Sequence, residues 1–176
     1  MIEINNLTTN PVDEEFLKKI AKEILESEDK KASELSIALV GQGRIRKLNK
    51  RYRGRNSVTD VLAFPDREIG LGEIVICLRE IKKNAKRYGA VEETKVSSSP
   101  SLNSVRSVFE KELARVLIHG ILHLLGYDHE KSELDTEKMR EKEEYYLTSL
   151  KIRGRRDKSL LPLRLPDRLP DGKFSN

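Results

Sequence analysis

The chain has 176 residues, of which 37% are hydrophobic and 36% charged, enough apolar material for one domain but with a charged share well above the usual quarter. No stretch approaches the 18 uninterrupted apolar residues of a membrane span, and the start of the chain lacks a basic segment followed by an apolar one, which predicts a cytosolic protein with no membrane partner. With Cys77 as the sole cysteine, an internal disulfide and a thiolate-built zinc site are both excluded, so any metal must be held by His or carboxylate.

In chain order, Ile2, Ile4 and Leu7 predict an opening strand, and Val12 to Ser27 an amphipathic helix with Phe16, Leu17, Ile20, Ile24 and Leu25 inward. Leu35 to Val40 predicts a second strand, ended by Gly41-Gln42-Gly43; Ile45 with Leu48 then predicts a short helix before a basic loop from Arg51 to Ser57. Thr59 to Phe64 and Gly72 to Leu78 predict two more strands, and Arg79 to Tyr88 a helix stopped by Gly89. Six serines between Val96 and Ser107 predict a mobile loop, set in an insertion of about residues 94–107. Phe109 to Leu125 predicts the most apolar helix and Ser132 to Leu150 a final amphipathic one.

This order predicts an α+β fold, a small mixed four-stranded sheet packed with about five helices. One domain is expected over residues 1–153. A disordered, extended tail is expected over 154–176, where Leu161-Pro162-Leu163-Arg164 and two quasi-repeats place a proline at every fourth position and forbid a helix.

The net charge is +5, and residues Lys151 to Asn176, with eight Lys and Arg against three Asp, account for all of it. Elsewhere the charge is balanced but segregated. From Arg44 to Arg55 no acid interrupts Arg44, Arg46, Lys47, Lys50, Arg51, Arg53 and Arg55. Such a run reads either as a solvated helix face or as a patch for phosphates.

All three histidines fall in one eleven-residue window, His119-Gly-Ile-Leu-His123-Leu-Leu-Gly126-Tyr-Asp-His129. His119 and His123 stand at i and i+4, so a helix projects both imidazoles from one face. Gly126 can reverse the chain at positive φ and return His129 to the same point. Three neutral imidazoles suit one zinc ion and leave a position open for water or substrate, at the end of a buried helix. Asp128 reads either as an outer partner of a ligand or as a turn former. The His spacing matches metzincin proteases, but those carry Glu directly after the first His as general base, and here that position is Gly120. A metalloprotease is therefore disfavoured.

The stretch Leu117 to His129 resembles the signature of the YbeY family of bacterial rRNA-maturation endoribonucleases. Leu48-Asn49-Lys50-Arg51-Tyr52-Arg53-Gly54, Thr59-Asp60-Val61-Leu62-Ala63-Phe64-Pro65 and Gly72-Glu73-Ile74-Val75-Ile76 resemble further family blocks. The resemblance spans about residues 2 to 150. Departures include Arg55-Asn56-Ser57-Val58 where the family commonly has Lys-Asp-x-Pro, and Ala63 where it commonly has Ser; none removes a histidine.

The resemblance implies a zinc-dependent, single-strand-specific endoribonuclease in ribosomal RNA 3′-end processing, with ribosomal RNA and the small ribosomal subunit as partners. It implies Arg53 as the cation that meets charge on the phosphate, beside His119, His123 and His129. Lys47, Lys50, Arg51 and Arg55 would hold the RNA backbone without reading bases. Glu73 reads equally as a positioning acid and as a solvent-facing strand end. A different class, a non-catalytic RNA-binding ribosome-assembly factor stabilised by zinc, stays open as the alternative.

Overall fold

The structure, a computed structural model, describes residues 1–66, 70–93, 102–127 and 132–150. Its elements are β1 (Ile2–Asn6), α1 (Glu14–Ser27), β2 (Leu35–Val40), α2 (Gln42–Arg53), β3 (Val61–Pro65), β4 (Gly72–Cys77), α3 (Leu78–Glu93), α4 (Leu102–Leu124) and α5 (Glu133–Ser149). The sheet order is β1-β2-β4-β3, with β1, β2 and β4 parallel and β3 antiparallel on the edge beside β4. This is the mixed α+β arrangement that the order of apolar segments predicts.

β2 and β4 occupy the middle and are covered on both faces, which is why they read as continuous apolar runs instead of alternating ones. Leu35, Ile37, Leu39, Ile74 and Ile76 face the larger core, built with Leu17, Ile20 and Ile24 of α1 and the apolar side of α4. Ala38, Val40, Val75 and Cys77 face the other way, with Leu62 of β3, onto Ile45 of α2. The sheet thus separates α2 from α4. Asp13 caps α1 by accepting from the Phe16 N–H at 3.0 Å, and Ser132 caps α5 by accepting from the Asp135 N–H at 3.1 Å.

Three boundaries depart from the sequence expectation by more than two residues. α2 runs to Arg53, so Lys47, Lys50, Arg51 and Arg53 lie on a helix and only Arg55 lies in the loop. Gly54 ends the helix at φ 69°, which a Cβ-bearing residue adopts only with strain, and Lys50, Arg51 and Arg53 complement the negative end of the helix dipole. α3 passes through Gly89 to Glu93; an interior glycine costs about 1 kcal/mol in a helix, too little to stop one. α4 begins at Leu102, inside the segment expected to be loop, because apolar residues at 102, 105 and 109 already recur at helical spacing and override the serines. Residues 94–101 of the expected insertion and the tail over 154–176 lie outside the described residues.

Candidate metal centre and basic helix

α4 is apolar around most of its circumference between Leu113 and Leu124, and its last two turns carry the histidines. Gly120 between them faces β4: a Cβ there would stand 3.0 Å from Cγ2 and 3.2 Å from Cδ1 of buried Ile74. Glycine lets the helix settle close to the sheet and turns the 119/123 side outward, where both imidazoles are partly exposed.

The Nε2 atoms of His119 and His123 stand 3.0 Å apart, with the rings nearly perpendicular at 83°. Each ring is held from behind. His119 Nδ1 lies 2.6 Å from Glu143 Oε1 on α5, and His123 Nδ1 lies 3.1 Å from the Tyr127 carbonyl. A carboxylate and a carbonyl both accept, so each Nδ1 donates and both Nε2 atoms face one point. Neutral imidazoles so arranged would offer two lone pairs to one cation. A tetrahedral ion with metal–nitrogen lengths of about 2.0–2.1 Å would set its nitrogens about 3.3 Å apart, close to the spacing here. The pair and its supports therefore fit a metal ion on donor chemistry as well as distance.

α4 closes in a Schellman turn. The Gly126 N–H donates to the His123 carbonyl at 3.1 Å and the Tyr127 N–H to the Leu122 carbonyl at 3.0 Å, with Gly126 at φ 94°. This is the reversal that the glycine predicts, and it brings the Tyr127 carbonyl back onto His123. His129 and Asp128 lie outside the described residues. Among the described residues, no group of three His, Cys, Asp or Glu side chains gathers to hold an ion.

Cys77 is fully buried, and burial pushes its thiol above the ordinary range, so it is no thiolate ligand. Two turns before His119 on the same helix, burial pushes the Glu112 carboxyl up; the nearby Asp60 charge adds to the rise and Arg115 opposes it.

Lys47, Lys50, Arg51 and Arg53 on α2, and Arg55 just after it, are all exposed. Arg46 is steadied by Asn56, whose Oδ1 accepts from Arg46 Nε at 2.9 Å. Buried Asn49 ties the following loop to the helix by donating to the Ser57 carbonyl at 2.9 Å. Within this cationic strip Tyr52 is 57% exposed, packed edge-on against Phe64 at 5.0 Å with the Arg51 guanidinium 5.3 Å from its ring centre. β3, the edge strand that both α2 and α4 touch, is the boundary between this strip and the histidine side.

A family model described as Endoribonuclease YbeY matches residues 3–151. The chain belongs to the YbeY endoribonuclease family. A relative described as Endoribonuclease YbeY from Thermodesulfovibrio yellowstonii is 38% identical over 151 residues, covering 77% of this chain and 84% of the relative. One from Carboxydothermus hydrogenoformans, with the same description, is 39% identical over 158 residues, covering 85% and 97%. The solution structure of TM1509 from Thermotoga maritima matches with a TM-score of 0.56 at 32% identity, over 85% of this chain and 89% of that one. The YbeY match takes in the three histidines and the whole basic helix, and leaves out nearly all of the basic tail. Among the described residues, no helix is long and apolar enough to cross a membrane.

Sequence reasoning missed Glu143 and Tyr127 as supports of the imidazoles. Glu143 is one of six acids on α5, and nothing in the local sequence distinguishes it from Glu141 or Glu144. Tyr127 acts through its backbone, which carries no side-chain signal.

Proposed function

We propose that this chain is a zinc-dependent endoribonuclease specific for single-stranded RNA, acting in ribosomal RNA 3′-end processing on the small ribosomal subunit. The observation that carries the metal reading is the convergence of His119 and His123 Nε2 at 3.0 Å, each ring backed at Nδ1 by an acceptor. Family membership supports the nuclease class, and the exposed cationic strip supports a polyanionic substrate.

His119, His123 and, by spacing, His129 would hold one zinc ion per chain. Zinc held there would supply Lewis acidity at a phosphoryl oxygen and a water acidified to a pKa of about 7. Glu143 and the Tyr127 carbonyl fix the rings and keep their protons on Nδ1. Lys47, Lys50, Arg51 and Arg55 take up backbone phosphates, a contact blind to sequence. Arg53 presents a planar fork that can pair with two phosphate oxygens as charge grows on them. The exposed Tyr52 ring offers a face for an unpaired base, which a duplex keeps in its own stack; this favours single strands.

The test is metal analysis of the purified protein together with an RNA cleavage assay on wild type and His123→Ala. Chelation of zinc is expected to abolish cleavage while RNA binding survives, and His123→Ala to lose most of the metal. Zinc-loaded protein that binds RNA but leaves it uncut would instead favour the non-catalytic assembly factor.

A further inference from the structure

The residue after α1, Glu28, gathers three donors from two distant parts of the chain. Lys142 Nζ donates to its Oε1 at 2.6 Å, the Tyr146 hydroxyl to the same oxygen at 2.5 Å, and the Tyr127 hydroxyl to Oε2 at 3.4 Å. Tyr146 is fully buried, and the Lys142 ammonium also lies 5.8 Å and 5.9 Å from the Tyr127 and Tyr146 ring centres. Lys142 and Tyr146 stand one turn apart on α5, and Glu143, which holds His119, is the next residue after Lys142. Tyr127 is the residue whose carbonyl holds His123. The two supports of the imidazole pair therefore come from separate segments, and one carboxylate is joined to both.

We propose that Glu28 is a positioning residue for the metal centre, acting through α5 on Glu143 and through the Tyr127 ring on the Tyr127 carbonyl. The proposal rests on the metal-binding reading given above. Its physical content is that a ligand imidazole binds well only when its outer acceptor stands at the right place, and loss of such an acceptor weakens metal binding by about 10- to 100-fold. Burial pushes the Glu28 carboxyl up, yet the hydrogen bonds from Lys142 and Tyr146 and the Lys142 charge outweigh it and hold the group below its ordinary value. Glu28 is thus ionised at neutral pH and accepts all three bonds at once.

The experiment compares wild type, Glu28→Ala, Glu28→Gln, Tyr127→Phe and His123→Ala. Zinc affinity is measured by competition with a chromophoric chelator, the visible spectrum of the cobalt-substituted protein is recorded, and the melting temperature of the metal-free protein is followed in parallel. Glu28→Ala is expected to weaken zinc binding about 10-fold and to alter the cobalt spectrum. Glu28→Gln, which keeps an acceptor for α5, should recover part of the loss. Tyr127→Phe removes one hydroxyl and should shift the spectrum in the same sense by less, which keeps the test open if Glu28→Ala does not fold. A purely structural Glu28 would lower the melting temperature of the metal-free variants and leave zinc affinity and the cobalt spectrum at wild-type values; that result overturns the proposal. If wild type and His123→Ala bind zinc equally weakly, the metal reading itself falls, and the proposal falls with it.

Discussion

Lys142 and Glu143 are neighbours on α5 that turn to different partners, Lys142 to Glu28 and Glu143 to His119. The His119 contact crosses 24 residues of sequence and fixes the tautomer of a candidate ligand. Replacing Glu143 by Leu should therefore cost zinc affinity about 10- to 100-fold, whereas Glu143→Gln, which still offers an oxygen acceptor, should cost less. Chelator competition measures both, and equal affinity in Glu143→Leu and wild type would remove Glu143 from the site.

Gly120 is set by packing as much as by chemistry. Gly120→Ala gains helix propensity worth about 1 kcal/mol but forces buried Ile74 to move, a cost of about 1–3 kcal/mol in a filled core. The expected net is a loss of about 1 kcal/mol with metal content unchanged, read from denaturant melts and metal analysis. Gly120→Glu should be far less stable and should cut no casein, because its side chain enters against β4 and away from the imidazoles. Zinc-dependent proteolysis by wild type would show that the missing glutamate is not what separates this site from a peptidase, and proteolysis by the variant would contradict the placement of residue 120 against β4.

The cations of α2 divide by when they act. Removing Lys47, Lys50 or Arg55 should weaken RNA binding modestly and flatten its salt dependence, by a slope of about 0.7 per phosphate contact for a single strand. Arg53→Ala should lower kcat by about 100-fold while affinity falls much less, and Arg53→Lys should restore little, because an ammonium lacks the fork. Single-turnover cleavage at fixed salt and matched zinc content separates the two. Unimpaired cleavage of bound RNA by Arg53→Ala would place Arg53 among the general phosphate contacts.

Two carboxyls should carry opposite signs in the pH dependence of stability of the metal-free protein. Glu28 is held below its ordinary 4.5, so its contribution is complete above that pH and is lost as pH falls through the lowered value. Glu112 is raised from 4.5, so it penalises the fold increasingly as pH rises from that value through the raised one. Melting profiles should show Glu28→Gln less stable than wild type at pH 7 but converging with it in acid, and Glu112→Gln more stable at pH 7 with the same convergence. A Glu112→Gln variant destabilised at pH 7 would contradict the burial that raises this group.

The histidine spacing was legible because i and i+4 on a helix is a local relationship, and the turn after it because only a glycine takes φ 94° without strain. β2 and β4 were legible as unbroken apolar runs. The end of α2 was not, since Arg51 to Ser57 carries the composition of a loop while Gly54 and the helix dipole extend the helix to Arg53. The start of α4 was obscured in the same way, serines masking helical spacing. Glu143 and Glu28 were beyond reach for a different reason: their partners lie 24 and more residues away, and one acid among many bears no mark of the contact it will make.

The Schellman turn after Leu124 has one further consequence. A helix of 23 residues concentrates partial negative charge on its last carbonyls, and here that end stands beside Glu143 and leads, through Tyr127, to Glu28. Partial negative charge at a helix end favours a cation over a phosphate. A divalent ion seated between the imidazoles would offset that charge locally, so its removal should lower kcat while the cations of α2 still hold the RNA.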